Sequence, residues 1–162
     1  MGRLRFMFFL MVFAMGSVSV SASQPKRHVS SLNLANIILD NNRLSDVGDI
    51  MAYYGWSERS DSLTWRNGSG DEIRVTVDED GRSLNSVELL TVGDRKVGER
   101  LANLQYSQAL REQREMPRGY RSGVRDMYAS GRKRVAVMSD GGRSLIVFFR
   151  SSRQAHTRFG PE

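Results

Sequence analysis

The sequence predicts an α+β protein: tandem units of two short helices packed on a three-stranded antiparallel meander. Three observations predict it. Apolar side chains recur at helical spacing over residues 31–54 and again over 97–113. Each helical stretch is followed by segments that alternate apolar and polar with a period of two, separated by Gly-containing turns. Residues 73–84 also read like residues 133–145. Val75 and Val77 answer Val135 and Val137 at a spacing of 60, as Asp80-Gly81 answers Asp140-Gly141 and Val87 answers Val147. Upstream, Trp65 and Gly68 answer Tyr128 and Gly131 with a small gap. The shared order points to a duplicated unit.

Residues 1–22 carry an address. Arg3 and Arg5 make a short positive start, residues 6–14 are apolar, and Val20-Ser21-Ala22 sets small side chains just before a cut. That is the pattern of a cleaved secretory signal peptide. Gly16, Ser17, Ser19 and Ser21 interrupt the stretch short of the roughly 20 apolar residues that a spanning helix needs. No second long apolar run follows. The expected mature chain, from Ser23, therefore has no transmembrane segment and is periplasmic or secreted. The expected organisation is a signal peptide at 1–22, a first αβ unit at 23–92, a second at 93–150 and a flexible tail at 151–162.

In the first unit Ser31 is placed to cap a helix carrying Leu34, Ile37, Ile38 and Leu39, which Asp40-Asn41-Asn42 ends by turn chemistry. Ser45 is placed to cap a second helix, with Asp46 and Asp49 near its positive end. Val47, Ile50, Met51 and Tyr54 share one face, and Gly55 stops it. Strands follow. Leu63 and Trp65 alternate with Thr64 and Arg66, and Asn67-Gly68-Ser69-Gly70 turns the chain. Ile73, Val75 and Val77 alternate with Arg74, Thr76 and Asp78. Asp80-Gly81 makes a hairpin because Gly accepts the positive φ of a tight turn. Leu84, Val87 and Leu89 form the third strand.

In the second unit Val97, Leu101 and Leu104 share a helical face. Tyr106, Ala109, Leu110 and Gln113 either continue it as one bent helix or form a second, and Pro117-Arg118-Gly119 ends the helical region. Strands are expected at 124–129, 134–139 and 144–150, with turns at Ser130-Gly131 and Asp140-Gly141-Gly142.

Composition narrows the function. Hydrophobic residues make up 40% of the chain, which supports a packed core. There is no cysteine, which excludes disulfides, thiolate metal sites, thiol catalysis and lipid attachment through Cys. The two histidines, His28 and His156, stand near the ends of the chain and outside any recognisable catalytic arrangement. There is no His-Glu-x-x-His and no Gly-x-Ser-x-Gly. Gly68-Ser69-Gly70 lacks the lysine and following helix of a phosphate loop. Asp78-Glu79-Asp80-Gly81 lacks the spaced ligands and closing Glu of a calcium loop, and a hairpin tip accounts for it. No catalytic, cofactor-binding or metal site is expected, and the chain reads as a non-enzyme.

The formal net charge of +6 is uneven. Residues 23–110 carry 10 basic and 13 acidic side chains (−3), whereas residues 111–162 carry 12 basic and 5 acidic (+7). Only Lys26, Lys96 and Lys133 of the 24 cations are lysine, and Arg suits bidentate pairing with carboxylate or phosphate. Such a half faces an acidic protein, an anionic surface or simply solvent. The arginines are spread and form no nucleic-acid module, which disfavours nucleic acid.

The stretch 44–56, then Leu63-Thr64-Trp65, then the hairpin around Asp80-Gly81, then Val87-Glu88-Leu89 resembles the SmpA/BamE and β-lactamase-inhibitor-protein type of module. In that superfamily a helix ending at Gly leads into a strand with an aromatic residue, then a hairpin with an acidic-Gly turn. The resemblance covers about residues 32–90 and, more faintly, 97–150. The chain departs from the pattern twice: Gly55-Trp56-Ser57 lacks the Pro of Gly-x-Pro, and there is no Cys to bear the lipid of the outer-membrane assembly branch. A tandem pair is similar to the inhibitor branch, whose members hold another protein on an open sheet face. The resemblance implies a secreted protein-binding module, an inhibitor or an envelope assembly factor.

The second unit supplies a candidate docking patch. If Val135, Val137, Val147 and Phe149 face the helices, then Ala136, Met138, Ile146 and Phe148 face away, joined by Tyr128 and bordered by Arg134 and Arg150. Exposed apolar area of this kind marks an interface, and aromatics with flanking Arg dominate interface energetics. Trp56, at a helix end beside Tyr53 and Tyr54, reads as an exposed anchor, whereas Trp65 reads as core. The expected partner-binding set is thus Trp56, Tyr128, Arg134, Met138, Ile146, Phe148 and Arg150, and the expected partner is another extracytoplasmic protein. A competing reading makes Leu145-Ile146-Val147-Phe148-Phe149 a central strand buried on both faces. The alternative function is an envelope-associated structural protein that binds an anionic surface through the Arg-rich C-terminal half.

Overall fold

The computed structural model describes residues 29–60, 63–92, 96–109, 124–140 and 142–151. Their order is α1 (Ser31–Asn41), α2 (Leu44–Tyr53), β1 (Ser57–Glu58), β2 (Thr64–Arg66), β3 (Glu72–Val77), β4 (Leu84–Val92), α3 (Val97–Asn103), β5 (Ser107–Gln108), β6 (Val124–Ser130), β7 (Lys133–Asp140) and β8 (Arg143–Arg150). The eight strands form one antiparallel sheet in the order β1-β2-β3-β4-β8-β7-β6-β5.

This corrects the expected fold of tandem units, each two helices on a three-stranded meander. Each half of the sheet has four strands, and the two halves are joined along β4 and β8. Residues Ser86 to Val92 pair with Phe149 to Arg143. The cause lies in the strands themselves. In separate meanders β4 and β8 would each present a long apolar edge with a row of unpaired backbone groups; pairing them satisfies both rows. The strands added at the outer edges, β1 and β5, are two residues each, too short to show a period. The described residues hold three helices rather than four. One of them, α1, lies across the β4–β8 junction and so serves both halves.

The helix boundaries also differ by small steps with clear causes. Ser30, not Ser31, caps α1: its side chain accepts the Asn33 N–H at 3.2 Å. Ser31 instead ties the helix start to the β2–β3 turn, donating to Asp71 Oδ2 at 2.5 Å. Ser45 does not cap α2. The cap position is Arg43, and Ser45 lies in the first turn with its hydroxyl on Asp46. A tertiary contact replaces the missing side-chain cap, because Leu44 N–H donates to Arg82 O at 3.0 Å and Arg43 bridges to Ser83. The second half opens with the single helix α3, which buries Val97 and Leu101. The question of a further helix over 110–116, and the bend at Pro117, lies outside the described residues.

The exits from α2 and α3 share one backbone geometry. Gly55 N–H donates to Ala52 O and Trp56 N–H to Met51 O; Gln105 N–H donates to Ala102 O and Tyr106 N–H to Leu101 O. Both turns need a left-handed residue, and φ is 79° at Gly55 and 63° at Gln105. Glycine adopts that conformation without a Cβ penalty, and glutamine does not. Gln105→Gly is therefore expected to stabilise the protein by about 0.5–1 kcal/mol, after glycine's extra entropy in the unfolded chain is set against the αL cost. Urea denaturation checks this; an unchanged or lower midpoint contradicts it.

The main core lies between the sheet and the helices. Two rows of side chains cross the sheet on that face. One runs Trp65, Ile73, Leu89, Ile146, Val137, and the other Val75, Val87, Phe148, Val135, Tyr128. Leu34 and Ile38 of α1, Met51 of α2 and Leu101 of α3 close over them, each fully buried. At the start of the expected tail, Ser151 is buried and its N–H donates to Arg132 O at 2.9 Å. The rest of that segment, like residues 1–22, lies outside the described residues.

Candidate functional site

The side chains that alternate with the core rows lie on the sheet's other face, and that face has two unlike parts. Over β6, β7 and β8 it is apolar. Met127, Ala136, Met138, Val147 and Phe149 form a second buried cluster, flanked by Val124 and Leu145. The three helices contribute to the first cluster and not to this one. Over β2, β3 and the first part of β4 the same face is polar, carrying Arg66, Glu72, Arg74, Thr76, Ser86 and Glu88, with Leu90 and Val92 following toward the end of β4.

The expected patch is not assembled there as one exposed surface. β8 has the opposite phase to the one expected. Val87 pairs with Phe148 and Val135 pairs with Phe148, so Phe148 and Ile146 share the helix-covered face with Val135 and Val137. Both are fully buried, and Phe148 meets Tyr106 edge to face at 6.4 Å. Met138 lies on the other face and is 6% exposed. Trp56 corrects the expectation of an exposed anchor. The positive φ at Gly55 turns the chain back beneath α2, and Trp56 enters the core. Tyr128 is half-buried on the helix face. Burial, with the nearby Asp126 charge, raises its phenol above the usual value. A methyl at Gly98 would come within 2.8 Å of its Oη, so α3 approaches β6 closely.

The two flanking arginines also have internal work. Arg134 is fully buried and donates from Nη1 to Gly131 O at 2.8 Å and Lys133 O at 3.1 Å. Arg150 donates from Nη2 to Leu39 O at 2.9 Å and Asp40 O at 3.2 Å, at the negative end of α1. Lys133 pairs with Asp40 at 3.1 Å and donates to Asn36 Oδ1, which also accepts the Tyr106 hydroxyl at 2.7 Å. The Lys133 ammonium stands 5.5 Å from the centre of the Tyr106 ring. Burial first, and then the Asp40 charge, hold the Tyr106 phenol far above its usual range. Arg150 and Lys133 thus fasten α1 to the sheet, and Arg134 ties down the turn between β6 and β7.

Open charge lies on the polar part instead. Glu72 Oε1 accepts from Arg59 Nη1 at 3.2 Å, from Arg66 Nε at 3.1 Å and from Arg66 Nη2. Arg74 Nη1 is 4.0 Å from Glu88 Oε2. The Arg66 hydrogen bond dominates in holding the Glu72 carboxyl below the usual range, with the charges of Arg66, Arg59 and Arg143 adding to it against partial burial. Thr76 and Ser86 share a hydrogen bond at 2.7 Å beside this array. The sequence marks Arg74 and Thr76 as alternating with the core residues of β3. It does not show Arg66 opposite Glu72 or Arg74 opposite Glu88, because that register depends on the intervening turns.

Asp80 spends its oxygens on the hairpin, accepting from Arg82 N, Ser83 N and Ser83 Oγ. Among the described residues no three His, Cys, Asp or Glu side chains gather to hold a metal ion, and no helix is long and apolar enough to cross a membrane. His28 and His156 lie outside the described residues. Compared with protein-family models, with curated proteins and with solved structures, the chain matches none.

Proposed function

We propose that the chain is an exported, noncovalent protein-binding module whose docking surface is the polar part of the sheet over β2, β3 and β4. The observation that carries this reading is the division of one sheet face. Its β6–β8 part is apolar and buried, whereas its β2–β4 part projects Arg66 and Arg74 about half exposed. A sheet held rigid from behind by a helix layer presents side chains at fixed spacing, which lowers the ordering cost of binding. Export rests on the positive, apolar and small-residue pattern of residues 1–22. The resemblance to the inhibitor branch, with its open sheet face, points the same way.

The test is photo-crosslinking in the intact envelope, with a photoreactive residue at Thr76 or Asn85 on the polar sheet face, or at Asp49 or Glu99 on the helix layer. The sheet positions are expected to join one extracytoplasmic protein, to a chain that mass spectrometry shows to lack residues 1–22. Crosslinks from the helix positions alone, or a crosslinked chain that retains its N-terminus in the cytoplasm, overturn the reading.

A further inference from the structure

Resting on that reading, we infer that the partner presents an acidic protein surface, and that Arg59, Arg66 and Arg74 are the residues that take its carboxylates. Arg59 leaves the end of β1, Arg66 ends β2 and Arg74 lies within β3. Their side chains are 49%, 51% and 58% exposed, while Glu72 and Glu88 beside them are 16% and 12% exposed. The acids sit low in the array and the guanidiniums stand above them. A guanidinium has five N–H donors. Arg59 gives one and Arg66 two to a single oxygen of Glu72, so each fork is positioned by one edge and keeps donors for a ligand. Three cations over two anions leave a positive surface, and the charge of Arg143 reaches the same carboxylate.

The composition of the array selects a protein over a lipid surface. Anionic membranes are met by clusters of like charge, Lys and Arg without intervening acids. Here Glu72 and Glu88 are set among the arginines in fixed register, Arg66 opposite Glu72 and Arg74 opposite Glu88. A uniform sheet of phosphates meets repulsion at both glutamates. A polypeptide that sets its carboxylates at the arginines alone does not, whether a folded partner or a flexible polyglutamate, and such sign alternation discriminates between partners. Arginine rather than lysine suits carboxylate, since its planar fork binds both oxygens.

The experiment is calorimetric titration of the full chain with poly-L-glutamate, with phosphatidylglycerol vesicles and with inorganic phosphate. It uses the unsubstituted protein, the Arg66→Glu/Arg74→Glu double variant, and Arg125→Glu as a control on β6. Circular dichroism establishes that each is folded; if the double variant is not, Arg66→Gln/Arg74→Gln replaces it. Poly-L-glutamate is expected to bind, about tenfold more weakly in the double variant and unchanged in the control. Preference for the vesicles or for phosphate, no binding of poly-L-glutamate, or equal loss in the control overturns the inference. Crosslinks from Thr76 and Asn85 that survive the double substitution overturn the acidic partner while leaving the docking face intact; their absence from the unsubstituted protein overturns both.

Discussion

Phe148→Ala is expected to destabilise the protein by about 3–5 kcal/mol, the range for truncating a fully buried aromatic. The ring has no exposed surface and lies in the central row of the main core, between Val87 on β4 and Val135 on β7. It also meets Tyr106 edge to face, a pairing that contributes beyond area alone. A side chain in an exposed docking patch behaves differently: its removal weakens binding and spares the fold. Urea denaturation separates the two. A loss below about 1 kcal/mol, the size typical of surface substitutions or a little more, would return Phe148 to the outer face. The same measurement on Phe149→Ala examines the second cluster, where that side chain is 1% exposed.

The error about Phe148 shows where a single sequence loses information. Strands β3, β4, β7 and β8 are legible because Val, Ile and Leu alternate or run together between turn residues. Phase is a separate question. In β3 the sequence Ile73-Arg74-Val75-Thr76-Val77 marks each face by polarity. In β8 five apolar residues, 145–149, run without a polar marker, and a shift of one residue exchanges the faces at no visible cost. Pairing with β4 and β7 decides the matter. Trp56 fails for another reason. The sequence places it at a helix end, but only the turn at Gly55, with Trp56 N–H on Met51 O, aims the indole inward. Likewise Lys133 and Arg150 read as members of a basic half. Their positions on the sheet put them at the carboxyl end of α1, 93 and 111 residues earlier in the chain. The open charged array was half-legible: the polar positions are visible in alternation, and their cross-strand partners are not.

Ile38→Ala is expected to cost about 2–5 kcal/mol and to lower the stability of both halves together. Ile38 is fully buried at the middle of the core, on the helix that lies across β4 and β8. Two tandem domains would respond otherwise, with the first half melting early and the second unaffected. Three features bind the halves into one cooperative unit. The sheet is continuous through the β4–β8 pairing. A single apolar cluster contains Trp65 and Ile73 from one half and Val135 and Ile146 from the other. The end of α1 is held by Arg150 and Lys133 of the second half. Both tryptophans, Trp56 and Trp65, lie in the first half, so their fluorescence reports on it, while amide exchange along β6 and β7 reports on the second. Coincident unfolding by the two probes is the expected outcome, before and after the substitution. A second half that keeps its exchange protection after the tryptophans are exposed would mean that α1 is the roof of one domain only. The polar array would then rest on a support that melts independently of the β6–β8 part beside it.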